Sequence, residues 1–162
     1  GFALLSIGSC TVTHPRQTFY IELQPDRDLF DPQASAIHGL DPAVLTRDGV
    51  PPFQAMTLFR DWLLQVVPDG THPVFVAFNA PFDWMFVNDY FLRYLGTNPF
   101  GHSALDIKAL YMGAAGRPWS KTSGDELHHL YLEGRKLTHN ALEDAIDQAI
   151  IFERIIDSIQ AR

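Results

Sequence analysis

The chain has 162 residues, of which 46% are apolar and 19% charged, so it has enough apolar sequence for a full core and too little charge for a disordered chain. Twelve Lys and Arg against 19 Asp and Glu leave a net charge of −7. That excludes a protein that coats polyanions by bulk attraction, and any nucleic-acid chemistry must work through something local, such as bound divalent cations.

Phe2 to Val12 reads as one buried strand, and the single Cys10 within it is a small hydrophobe. One cysteine leaves no disulfide framework and no Cys-rich zinc site. His14-Pro15-Arg16-Gln17 predicts a turn and Thr18 to Leu23 a second strand, so the two pair as a hairpin. The stretch from Pro25 to Pro52 predicts a long connection with short helical pieces. One piece begins at Asp41-Pro42, a capping residue followed by proline at the first helical position.

Phe53, Met56, Phe59, Trp62, Leu63, Val66 and Val67 recur at helical spacing and predict an amphipathic helix, ended by Pro68-Asp69-Gly70. Val74 to Phe78 is nearly all apolar and predicts a strand buried on both faces. Pro81 starts a helix to Leu95 that is apolar almost all round and is therefore predicted to be buried. Ser103 to Asp106 predicts a short strand leading into a helix from Ile107 to Met112, and Lys121 to Leu132 a modest helix with a solvated face. The last helix carries the stripe Leu142, Ala145, Ile146, Ala149, Phe152, Ile155, Ile156 and Ile159. A hairpin followed by alternating helices and strands predicts an α/β fold with a mixed sheet, as one domain over 1–162. No apolar run approaches the roughly 20 residues that cross a bilayer and no signal peptide opens the chain, so the expectation is a cytoplasmic protein without a membrane partner.

Three polar groups stand at element ends. Asp83 follows the apolar strand within the first turn of a helix, outside the carboxyl end of a strand, where ligands collect in open α/β sheets. An acid there also stabilises the helix dipole without further duty. His139 precedes the last helix and Asp144 lies about one turn inside it. Spacing alone reads Asp144 as part of a solvated face with Glu143 and Asp147. The other histidines carry no metal signature: His128 and His129 are adjacent and face different sides of a helix, and no H-E-x-x-H occurs. No G-x-S-x-G, phosphate-binding loop or dinucleotide fingerprint appears, so hydrolase triads and nucleotide-fuelled reactions have no support.

The joint pattern carries more than its parts. An aspartate after a buried strand, then a histidine five positions before a second aspartate opening a C-terminal helix, resembles the DEDDh exonucleases, which include oligoribonuclease, ribonuclease T and bacterial proofreading subunits. The likeness runs along the whole chain: LLSIGSCTV looks like the family's second strand, and ASAIHGLD resembles the segment after the hairpin. VFVAFNAPFDWMFV looks like the second acidic motif, LDIKALY the next strand-to-helix step, and LTHNALEDAIDQA the third motif. The resemblance implies a ribonuclease H-like mixed sheet flanked by helices, and a 3′–5′ exonuclease releasing mononucleotides from single-stranded RNA or DNA.

It also implies Asp83 and Asp144 as ligands of two divalent cations, Mg²⁺ or Mn²⁺, and His139 as general base. Hard cations take carboxylate oxygens and acidify bound water, and an imidazole of reference pKa roughly 6.5 accepts that water's proton. His38 and Asn79 match family positions near the substrate, Phe82 or Trp84 is available to stack on the terminal base, and the likeness to oligoribonuclease and ribonuclease T implies a homodimer.

One departure stands out. The family's first motif, D-x-E, lies on the strand before the one beginning at Phe2, and this sequence has no such motif; Asp26-Arg27-Asp28 has the nearest spacing but follows the hairpin. The expectation is therefore an N-terminally incomplete sheet lacking its central strand, split into two pieces with a strand-wide gap. Upstream residues or a strand from a neighbouring molecule would fill it. The alternative reading is an exonuclease-like fold that has lost catalysis and serves as a binding or interaction module.

Overall fold

The structure, a computed structural model, describes residues 2–27, 39–133 and 138–161. Ser6–Cys10 (β1) and Thr18–Glu22 (β2) form the antiparallel hairpin, with Ile7 opposite Ile21 and Gly8 opposite Tyr20. Beyond β2, Leu23 is fully buried and bridges in parallel to Val50. Between these two bridged positions lies Pro42–Asp48 (α1), begun as its sequence predicts: the Asp41 carboxylate accepts from the Ala43 N–H at 2.8 Å and Pro42 occupies the first turn. Pro52–Val66 (α2) follows, and its buried face is Ala55, Met56, Phe59 and Leu63, the four-residue rhythm expected of a helix laid on a core.

Phe75–Ala77 (β3) leads into Ala80–Leu95 (α3), and Ala104–Asp106 (β4) into Ile107–Ala115 (α4). The two strands pair in parallel, Phe75 with Ala104 and Ala77 with Asp106, so both helices start from the same edge of the sheet. A 3₁₀ turn at Trp119–Lys121 precedes Gly124–Tyr131 (α5), and Ala141–Gln160 (α6) ends the described chain. Two cores result. Ile7, Leu23, Met56, Phe59, Tyr90 and Phe91 fill the space between hairpin, α2 and α3, where the Phe59 ring stacks on Phe19 and Phe91 at 5.1 and 5.6 Å. Ile107, Tyr111, Leu127, Ile151 and Ile155 join α4, α5 and α6.

The start of α6 lies directly on β1. An ideal Cβ added at Gly8 would overlap the Ala141 carbonyl carbon and the Leu142 nitrogen, so the close approach of helix to strand requires glycine there. The β1–β2 and β3–β4 pairs are separate sheets, and among the described residues no ladder joins them. Direct pairing of β1 with β3 would have contradicted a ribonuclease H-like sheet lacking its central strand, and the structure does not have it. A cavity of about 950 Å³ lies between the two pairs, lined by β1, β3 and the inner face of α6.

Two sequence expectations are corrected. The helix α3 is not buried all round: Val87, Tyr90 and Phe91 enter the core while Phe82, Met85 and Leu92 are at least half exposed. The strand β3 is not covered on both faces, since only Ala77 is buried and the neighbouring Val74 is 68% exposed. Val74 and Phe82 border the cavity, so apolar residues that a continuous sheet would cover stay open there.

Candidate active site

The turn from β3 into α3 is set by Asn79, whose φ of 57° lies in the left-handed region that asparagine tolerates better than most residues. Its backbone N–H donates to Asp106 Oδ1 at 3.0 Å, and the same oxygen accepts from the Lys108 N–H at 3.0 Å, capping α4. One carboxylate thus locks together the ends of two parallel strands. The N–H of Phe78 donates to Gln148 Oε1 at 2.9 Å, tying this turn to α6. Asp83 then falls in the first turn of α3, on the cavity wall.

On the opposite side, Asn140 caps α6 by accepting from the Leu142 and Glu143 N–H groups at 3.0 and 3.2 Å. The residue before it, His139, has a φ of 59°. A left-handed conformation outside glycine costs on the order of 1–3 kcal/mol and persists only where the surroundings enforce it, a circumstance that clusters at functional sites. The turn brings His139 to the cavity with Asp83 and Asp144. These three residues, the sequence's candidates, therefore line one cavity.

Burial dominates the electrostatics of both acids. Burial pushes the Asp83 carboxyl up from its usual 3.8 to about 6, against a weaker opposing bond from its own backbone N–H. Burial also raises Asp144; Asp147 adds to the rise, while His139 and His128 oppose it. The Oδ1 of Asp144 is buried with no hydrogen-bond partner. A buried unsatisfied carboxylate oxygen is costly, and a hard cation is a natural partner for it. Among the described residues no three His, Cys, Asp or Glu side chains converge into a complete metal cage, so these residues fit part of a cation site.

Other expectations sort as follows. The solvated-face account of Asp144 fails, because α6 buries Asp147 to 5% exposure and shelters Asp144 rather than presenting both to water. His38 lies outside the described residues. Asn79 is exposed and its side chain makes no capping bond. Of the two stacking candidates, Trp84 is engaged edge-on with Phe75 at 5.4 Å, while Phe82 is 57% exposed at the cavity. Asp26 is taken: it accepts from the Tyr90 and Tyr94 hydroxyls and from Arg93. Two residues of the site, Asp106 and Gln148, are not among the sequence's candidates. An aspartate between a strand and a helix signals a cap, which could have found Asp106; nothing marks Gln148 before the fold is known.

No protein-family model matches the sequence. The chain is 40% identical over 161 residues, 99% of its own length and 86% of the relative's, to the 3′–5′ DNA exonuclease Cap18 of Escherichia coli. Its fold is similar to the crystallographic structure of the nuclease domain of 3′hExo, a DEDDh family member bound to rAMP. The TM-score is 0.71 over 96% of this chain and 92% of that one, at 13% identity.

Proposed function

This chain belongs to the DEDDh-type 3′–5′ exonuclease family, and we propose that Asp83, Asp144 and His139 are the groups that carry its reaction. It is a metal-dependent exonuclease that hydrolyses phosphodiester bonds from 3′ ends. The observation that carries the residue assignment is the orphaned Oδ1 of Asp144 in the cavity that also holds the desolvated Asp83.

Asp83 and Asp144 would hold divalent cations, Mg²⁺ or Mn²⁺, which supply an acidified water and neutralise charge at the phosphate and the leaving oxygen. His139, held at the mouth of α6 by its left-handed turn, would take the proton of the attacking water. Its exposure lets it pass that proton to solvent. Phe82 stacks on the terminal base, and Asn79 and His38 contact the terminal nucleotide. The family pattern has two further acids on a D-x-E strand, which residues 1–162 do not contain. The cavity between β1 and β3 borders both Asp83 and Asp144, and a strand lying in it would bring its carboxylates to them.

The substrate is the 3′ end of single-stranded nucleic acid, released as mononucleotides. The relative's name makes DNA the first polymer to try. Among the described residues no helix is long and apolar enough to cross a membrane, and a cytoplasmic homodimer is the assembly this family suggests. Calorimetric titration with Mn²⁺ tests the assignment. Heat of binding should be present in the wild type and lost in both Asp83→Asn and Asp144→Asn, whereas undiminished binding in either variant would remove that residue from the set.

A further inference from the structure

In a chain of net charge −7, most of the positive charge that the described residues do not commit to a carboxylate falls in one stretch of the chain. Among the described residues, Arg16, Arg27, Arg47, Arg60 and Arg93 each pair with an acid, and Arg154 donates to the Tyr131 carbonyl. Lys108, Arg117 and Lys121 pair with none of the described acids; Lys108 lies over the Trp119 ring, and Arg117 and Lys121 stand two positions either side of Trp119 in the sequence. The Lys108 ammonium sits 4.1 Å from the centroid of the Trp119 ring, and that tryptophan is 49% exposed.

Local stability does not account for this cluster. Lys108 stands in the first turn of α4, where the helix dipole disfavours a cation. An indole left half in water gives up burial that its size would reward. A cation over one face of an exposed aromatic ring, with two more cations close by in the sequence, suits a single-stranded polyanion: bases stack on the ring and phosphates meet the ammonium and guanidinium groups.

Chain neighbours of the cluster meet the turn that leads to Asp83. Asp106, two residues before Lys108, accepts from the backbone N–H of Asn79 at the turn that leads to Asp83. Gly124, just past Lys121, packs against the Phe78 ring of that same turn, its ideal Cβ position 3.8 Å from the ring. We propose that Lys108, Arg117, Trp119 and Lys121 form a binding surface for the nucleotides that precede the 3′-terminal one. The proposal rests on the exonuclease reading and adds to it the element that holds an acidic protein on an acidic strand.

The test is the affinity of fluorescein-labelled single-stranded oligonucleotides of two and of twelve nucleotides, read by anisotropy across a salt series, with nucleotide release measured in parallel. In the wild type the twelve-mer should bind far more tightly than the dimer. Trp119→Ala should reduce that length-dependent gain on the order of tenfold. The double variant Lys108→Gln/Lys121→Gln should lower the salt slope by roughly 1.4, at about 0.7 for each phosphate no longer neutralised. Arg47→Gln removes one surface charge elsewhere and should leave the gain intact. An unchanged gain and slope in the Trp119 and double-lysine variants overturns the proposal, as does an equal loss in Arg47→Gln. Wild-type protein that binds the twelve-mer with these properties but releases no nucleotide would instead overturn the exonuclease reading and leave the surface standing.

Discussion

Replacing Asp83 by asparagine separates what this carboxylate does for the fold from what it does for the reaction. Moving its pKa from 3.8 in the unfolded chain to about 6 in the folded one makes its ionisation about 3 kcal/mol harder on folding, at 1.36 kcal/mol per pH unit. The group is only half-buried, and solvent screening brings the effect down to about 1–2 kcal/mol. The folded state binds the extra proton, so this contribution is fully present below pH 3.8 and is lost as pH rises through about 6. At pH 7.5 without metal, Asp83→Asn should therefore unfold at higher denaturant than the wild type, and near pH 4 the two should converge. Activity should move the other way and fall by roughly 10³-fold or more, since a metal ligand supports several kcal/mol of transition-state stabilisation. Urea titrations at the two pH values, with and without Mn²⁺, read all of this, and Mn²⁺ should stabilise the wild type but not the variant. A variant no more stable than the wild type at pH 7.5, or one that keeps its activity, would refute the reasoning.

His139→Ala should lower the rate on the order of 10²–10⁴ while Mn²⁺ affinity holds; loss of metal together with rate would make the imidazole a ligand instead. For Asp26, burial raises its carboxyl pKa, but bonds from Tyr90, Tyr94 and Arg93 outweigh that and hold it below its usual value. Asp26→Asn should thus cost about 1.5–3 kcal/mol near neutral pH, with the difference from wild type shrinking as acid protonates the wild-type carboxylate, which denaturation across pH 2–7 checks. Gly8→Ala pushes a methyl group into the backbone of Ala141 and should cost about 3 kcal/mol or more; thermal unfolding reads it, and an unchanged midpoint would mean that α6 does not rest on β1.

Much of the architecture is legible in local chemistry. Asp41-Pro42 and the Phe53–Val67 rhythm fix α1 and α2 before any contact is known, because caps and helical periodicity act within a few residues. What fails is burial that depends on an absent neighbour. The apolar stretches Val74–Phe78 and Pro81–Leu95 read as enclosed, yet they line or flank an open cavity. The proposed site residues are legible as an order of types, Asp83, then His139, then Asp144. Their spatial relation is not, since it depends on a left-handed turn at His139 and on Gly8 letting α6 lie against β1. Asp144 shows the limit well. Helical spacing puts it on a solvated face with Glu143 and Asp147, yet Asp147 is buried and Asp144 partly buried, and only Glu143 stays exposed.

The central claim is that this cavity hydrolyses nucleic acid from the 3′ end with bound metal. Incubating the purified protein with 5′-labelled single-stranded DNA and RNA in Mn²⁺, and resolving the products by length, tests it most directly. The account predicts a ladder shortening one nucleotide at a time from the 3′ end, abolished by EDTA and by Asp144→Asn. Digestion that survives EDTA, or intact substrate in the presence of Mn²⁺ and bound protein, would contradict it.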